Sequence, residues 1–331
     1  MGEKKNVQVI RPMSSINFGE ILDKWNDSFN RDISNPTDKW RLAAYPIMPG
    51  AQSTQVALIF KQEIRVNESD CGSIFKYRVL LYDLTVTPML LNTSEFQFKD
   101  WELYTAWFFD NKLYVTMRDD DKFEVITIQG DGNERVQRLG KYVTGVKPNT
   151  HGDILVGYDC GEDPDDERIP VQLFVRGGKC KALTSDDAVS CECISLDSKD
   201  NIWAYVRPYN YIEHMSGDEY ETYPISLSGF SGIGVSDDGK HLLASMNYSS
   251  YGIRLYAFRK NEEDRFCDEI EVILDTGDEE ENKGHITSAA FGGNKAVFRK
   301  GRQLYMFNIN ELNYDDMEYK NCEDKSEETK E

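Results

Sequence analysis

No apolar run in this 331-residue chain approaches the roughly 18 residues that a bilayer-spanning helix requires, so no membrane partner is expected. The opening MGEKKNVQVIRP lacks the apolar stretch of a secretory signal, and Asn6 stands where a myristoylation motif wants Ser or Thr. Export and lipid anchoring are both unsupported, which leaves the sequons at Asn26, Asn67, Asn92 and Asn247 without meaning and points to a cytoplasmic protein. Cysteine is sparse in pattern: seven residues, an odd count, with no C-x-x-C pair to suggest a zinc site. Cys191 and Cys193 lie two apart and point in parallel from one strand, a geometry that strains a bridge, so free thiols in a reducing compartment are expected.

Basic residues are outnumbered, with 38 Lys and Arg against 58 Asp and Glu and a net charge of −20. Affinity for a phosphate backbone comes from Lys and Arg displacing counterions, so no nucleic-acid partner is expected. An acidic field of this size keeps a chain soluble and steers basic partners toward it.

Catalytic signatures are also missing. In GFSGIG, Gly229, Ser231 and Gly232 have the wrong spacing for a hydrolase nucleophile elbow, and no dinucleotide-binding or phosphate-binding glycine loop occurs. The acidic run DCGEDPDDE lacks the alternating ligand spacing of a calcium loop. No metal ligand set and no cofactor is predicted.

What is present is a repeat. SLDSKDNIWAYV, from Ser195 to Val206, reads as apolar alternation, a polar turn, then a short strand. Five further copies occur at Ala43 to Phe60, Ala106 to Met117, Gly145 to Tyr158, Gly234 to Met246 and Ala289 to Lys300, each followed by another strand-like segment. Taking the last turn residues Gln55, Lys112, Asp153, Asn201, Lys240 and Lys295 as markers, the copies are spaced by 39 to 57 residues. That spacing suits four-stranded blades of about 40–50 residues, and a closed ring removes the edge strands of a long meander. The turns DN, HGD, KDN, DDGK and GGN supply residues that accept positive φ. Small residues such as Ala43, Ala44, Ala106, Gly145, Gly232, Gly234, Ala289 and Ala290 open the copies, as strands crowded around an axis require. A β-sandwich with fortuitous spacing is the competing arrangement.

LDSKDNIWAY resembles the D-x-x-G-N-I-W strand signature of NHL-type, streptogramin-lyase-like and two-component-regulator propellers, with Asp200 where those families usually place Gly. The resemblance implies an all-β fold, a β-propeller over Trp40 to Ile309, and transfers no functional residue. Six copies predict six blades in one domain, 1–310. Residues 1–13, with the alternating NVQVIRP, are expected to supply the missing outer strand of the last blade. The competing filler, NYDDMEYK, is poorer strand material because of Asp315 and Asp316. Within the connector 14–37, Ile21, Leu22 and Trp25 share a helical face, with Asn17 and Glu20 spaced as a capping box, so a short capping helix or an irregular connector lies there, before the blades of 38–310. The tail, 311–331, is acidic and expected to be disordered.

Two functional readings follow. Loops joining second and third strands carry Glu63, Glu68, Asp70, Asp119, Asp120, Asp121, Asp159, Glu162, Asp163, Asp165, Asp166 and Glu167 in the first three copies and no carboxylate in the last three. The latter offer Tyr209, Tyr211, Tyr248 and Tyr251, residues that binding surfaces favour. This predicts a non-catalytic interaction protein, of immunity or regulatory type, whose acidic face receives a basic protein or peptide. The alternative is a hydrolase or lyase at the channel mouth, where Glu102, Thr144, Glu192, Ser231 and His285 are expected and only Glu102, Glu192 and His285 are candidates for acid-base or metal-assisted work.

Overall fold

The computed structural model describes residues 4–29, 39–42, 54–65, 73–85, 87–99, 101–119, 122–129, 132–159, 169–176, 180–183, 190–207, 210–217, 219–225, 227–248, 252–263, 265–277, 285–312 and 318–321. Two strands, β1 (Lys4–Ile10) and β2 (Ser14–Asn17), precede the only α-helix among the described residues, α1 (Phe18–Phe29). Among the described residues the regular structure after it is strand, apart from one 3-10 turn at Ile309–Glu311, and most strands pair with their neighbours in sequence.

Sheet 1 comprises β3 (Arg41–Leu42), β4 (Gln55–Arg65), β5 (Ser73–Asp83) and β6 (Met89–Lys99). Sheet 2 comprises β7 (Glu102–Phe109), β8 (Lys112–Asp119), β9 (Lys122–Gln129) and β10 (Gly132–Gly140). Sheet 3 is β11 (Val143–Pro148), β12 (Ile154–Tyr158), β13 (Val171–Phe174) and β14 (Cys180–Ala182), and sheet 4 is β15 (Ser190–Leu196), β16 (Ile202–Arg207), β17 (Tyr211–Ser216) and β18 (Glu219–Pro224). A ten-stranded sheet holds the rest and divides at one residue pair, Ile253 with Ile286. Its halves are sheet 5, with β19 (Phe230–Val235), β20 (His241–Tyr248), β21 (Gly252–Lys260) and β22 (Phe266–Leu274), and sheet 6, with β23 (Ile286–Gly292), β24 (Lys295–Lys300) and β25 (Gln303–Asn308).

Strand periodicity explains why these segments read as continuous apolar runs. Successive side chains point to opposite faces, and here both faces are covered. In β4, Val56, Leu58 and Phe60 face sheet 6 while Ala57 and Ile59 face sheet 2, and all five are buried. The same logic gives clusters between sheets 2 and 3 around Trp107 and Val156, sheets 3 and 4 around Leu155 and Ala204, sheets 4 and 5 around Tyr205 and Ile233, and sheets 5 and 6 around Leu243 and Phe298. The cluster joining Val297 and Met306 of sheet 6 to Leu58 and Phe60 of sheet 1 closes the cycle.

Ring closure comes from the N-terminal side, but through a different segment from the one expected. Ser14–Asn17 pairs antiparallel with β25 and completes sheet 6, whereas β1 runs parallel to β22 as a fifth strand of sheet 5. The physical reason lies in burial: Ile10 packs with Ile270, Val272 and Leu274, while the polar SSIN is held by main-chain pairing and by Ser14 Oγ donating to Leu84 O at 2.7 Å. The tail reading also changes in its described part: β26 (Glu318–Asn321) pairs with β1. The remaining residues of 313–331 lie outside the described residues.

The capping helix forms as its spacing predicts. Asn17 Oδ1 accepts from the backbone N–H of Gly19 at 3.0 Å and of Glu20 at 3.4 Å, and Asn17 Nδ2 donates to Glu20 Oε1 at 3.0 Å. Phe18, Ile21, Leu22 and Trp25 then cover the closing cluster. Trp25 meets Phe60 edge-on at 5.0 Å, and the Arg78 guanidinium lies 4.7 Å from the Trp25 ring and 4.5 Å from Trp40.

The turns follow their chemistry. Asp110 and Asn111 take φ of 50° and 58°, and Asp200, at the glycine position of the signature, takes φ 64°. Its carboxylate accepts from Thr150 N at 3.1 Å and from Thr150 Oγ1, tying the hairpin of sheet 4 to that of sheet 3. Asp197 organises the same turn, accepting from Asn201 N at 2.9 Å and from Trp203 Nε1 at 3.3 Å.

Candidate functional site

The innermost strands β7, β11, β15, β19 and β23 surround a central cavity of about 450 Å³. Each inner strand starts at the end where the previous sheet finishes, so early residues such as Glu102, Thr144 and Ser231 lie toward one mouth and later ones such as Lys147 and Phe291 lie deeper. Leu103, Tyr104, Thr105, Val146, Ile194, Asn247, Ile253, Ala289 and Ala290 complete much of the wall. Small residues on these strands leave space for neighbours from the next sheet. A Cβ on Gly234 would stand 2.6 Å from Ile309 Cδ1 and 2.8 Å from the Phe291 ring, and one on Gly232 would stand 2.8 Å from the same ring.

Of the catalytic candidates, only Glu102 lines the cavity. Its Oε1 is 2.9 Å from Lys61 Nζ, an ion pair at the rim. Glu192 is bound by Arg207 at 2.8 Å; burial raises its pKa, with Arg207 opposing and Asp159 reinforcing. His285 is exposed where β23 begins and contributes nothing to the cavity wall. Of Glu102, Glu192 and His285, then, the cavity wall holds only Glu102, paired with Lys61 of the adjacent sheet, while Glu192 pairs with Arg207 on the neighbouring strand. Thr144 and Ser231 do line the cavity, with their hydroxyls donating to Cys191 O at 2.7 Å and Ser245 O at 3.1 Å.

Sequence reasoning passed over Lys147. This side chain reaches from sheet 3 toward sheet 6, opposite it in the cyclic order, and Nζ donates to Phe291 O at 2.7 Å. Burial lowers its pKa from the ordinary 10.5 to about 8, with Cys193 acting in the opposite sense. Cys193 beside it is buried, and burial pushes the thiol well above its ordinary range, so it is neutral. Below this level Gly293 N donates to Leu196 O at 2.9 Å, a further link across the ring. The signal that could have found Lys147 is a cation within an inner strand that otherwise reads as buried, GVKP.

Among the docking candidates, Asp119 ends β8 and is partly exposed, and Tyr211 opens β17, partly packed against the cluster between sheets 3 and 4. Tyr248 ends β20, its backbone paired with Gly252. Asp120, Asp121, Glu162, Asp163, Asp165, Asp166, Glu167, Tyr209 and Tyr251 lie outside the described residues. A second cavity, about 330 Å³, lies between sheets 4 and 5, where His214 stacks on Trp203 at 4.1 Å and its Nδ1 is 3.2 Å from Glu221 Oε2. Among the described residues Cys180, Cys191 and Cys193 form no disulfide. No described helix is long and apolar enough to cross a membrane, and no group of three or more His, Cys, Asp or Glu among the described residues is placed to hold a metal.

No family model matches the sequence, and no curated protein matches it. Among solved structures, the chain is similar to a catalytically inactive virginiamycin B lyase from Staphylococcus aureus with quinupristin, at 10% identity and TM-score 0.46, over 82% of this chain and 99% of that one. It is also similar to YCF48 bound to D1 peptide, at 10% identity and TM-score 0.44, over 85% and 84% of the two chains. A third likeness is to the β-propeller domain of the Trilobed protease from Pyrococcus furiosus, at 13% identity and TM-score 0.44, over 83% and 82%. By its successive four-stranded antiparallel sheets, packed face to face in a closed cycle, the chain is a β-propeller.

Proposed function

We propose that the chain is a single-domain, six-bladed propeller, each of the six sheets one blade, that works in the cytoplasm as a non-catalytic scaffold presenting an acidic face to a basic protein or peptide. One observation carries this reading. The second strands β4, β8 and β12 end, and the third strands β5, β9 and β13 begin, at the same end of three consecutive sheets, the end where the central cavity has its mouth. The sequence between those strand ends holds Glu68, Asp70, Asp120, Asp121, Glu162, Asp163, Asp165, Asp166 and Glu167. Charge concentrated on one face of a rigid ring steers an oppositely charged partner and sets its register. The hydrolase or lyase alternative has no comparable support, since Glu102 and Glu192 are held by Lys61 and Arg207.

The test compares capture from a native lysate by the wild-type chain and by the triple variant Asp163→Lys, Asp165→Lys, Asp166→Lys. The same basic protein, retained by the wild type, released by salt and lost by the variant, is the expected result. Capture that is insensitive to both salt and charge reversal would sink the reading.

A further inference from the structure

Within the central cavity the partly buried ammonium group of Lys147 has no counter-ion among the described residues. Lys147 Nζ has one acceptor, Phe291 O at 2.7 Å, and among the described residues no carboxylate pairs with it. Its neighbour Cys193 is a buried thiol whose pKa burial raises. Charges away from bulk water are ordinarily paired, and an ammonium has three donors, of which this one uses a single N–H. We propose that the channel binds a small carboxylate with an apolar body, the carboxylate accepting from Lys147 Nζ and the body lying against Leu103, Val146, Ile194, Ile253 and Phe291.

Each part of that ligand class comes from the wall. About 450 Å³ suits a small molecule, and sites of this size combine apolar lining with a few polar groups that orient the ligand. Asn247 lines the same cavity and offers an amide as a second polar contact. A phosphate is a poorer match, because among the described residues no arginine and no helix N-terminus lines the cavity, and phosphate sites converge several donors on one group. Entry past the rim meets Glu102 already paired with Lys61. The inference stands apart from the docking face, since it uses none of the acidic loops.

Isothermal titration of the full chain with hexanoate and 4-phenylbutyrate, each beside its neutral amide, tests it. The wild type is expected to favour an acid over its amide by about tenfold or more, and Lys147→Met to bring that ratio to about one. With the amine titrating at about 8, acid affinity is also expected to fall about tenfold between pH 7 and pH 9. The wild-type ratio needs no variant, so a misfolded Lys147→Met does not leave the question open. Equal binding of acids and amides by the wild type, no binding of either acid at millimolar concentration, or a ratio unchanged in a folded Lys147→Met protein would each overturn the proposal.

Discussion

Replacing Lys147 by Met should stabilise the ligand-free protein near neutral pH and lose that advantage in alkali. The pKa of Lys147 falls from 10.5 to about 8 on folding, chiefly through burial. At about 1.4 kcal/mol per pKa unit, keeping the proton on the folded chain at pH 7 costs about 3 kcal/mol. Methionine has a similar length and no charge to desolvate, so the variant escapes this cost. It also leaves the Phe291 carbonyl without its donor, which returns about 1–3 kcal/mol. The net gain at pH 7 is therefore small, about 1 kcal/mol, and the pH dependence is the sharper observable. Between pH 8 and pH 10.5 the unfolded wild-type chain binds more protons at this lysine than the folded chain, so wild-type stability rises with pH over that window relative to the variant. Urea unfolding followed by tryptophan fluorescence at pH 7, 8, 9 and 10 should show the wild type gaining about 2 kcal/mol on Lys147→Met across the series. A difference that stays constant within about 0.5 kcal/mol would refute the burial of a charged amine in the channel.

Three structural predictions accompany it. Gly234→Val should destabilise by about 2–3 kcal/mol in thermal unfolding, because its Cβ would meet Ile309 and the Phe291 ring, and Phe291→Leu in the same chain should recover part of the loss. Asp200→Val should cost about 2 kcal/mol or more, since φ is 64° and the carboxylate bonds to Thr150 go with it, whereas Asp200→Gly should remain within about 1 kcal/mol of wild type. Ile16→Pro, which removes a ladder position opposite Leu304, should lower the melting temperature and raise aggregation measured by light scattering, as β25 becomes an edge strand.

The division between what was legible and what was not follows from the range of the forces involved. Turn chemistry and strand alternation are local, so DN at 110–111, the KDN turn with Asp200 at positive φ and the capping pair Asn17 and Glu20 could be read directly. Their regular recurrence also determined the propeller, because four-stranded units at blade spacing can bury both faces only by packing on one another. Closure was harder to read. Alternation made Asn6 to Pro12 look like the missing strand of the last sheet, yet any two apolar edges satisfy that pattern, and the choice fell to which edge offered matching burial. Ser14–Asn17 won the closing position with main-chain hydrogen bonds, which leave no mark in side-chain sequence. For the site, the sequence put Glu102, Thr144, Glu192, Ser231 and His285 near the channel mouth, and of these Glu102, Thr144 and Ser231 line the cavity. What the tertiary structure alone decided was the pairing across strands: it bound Glu102 to Lys61 and Glu192 to Arg207, and carried Lys147 across the ring to the Phe291 carbonyl. Those partners lie 15 to 144 residues apart in the chain, and only folding turns such separations into contacts with electrostatic meaning.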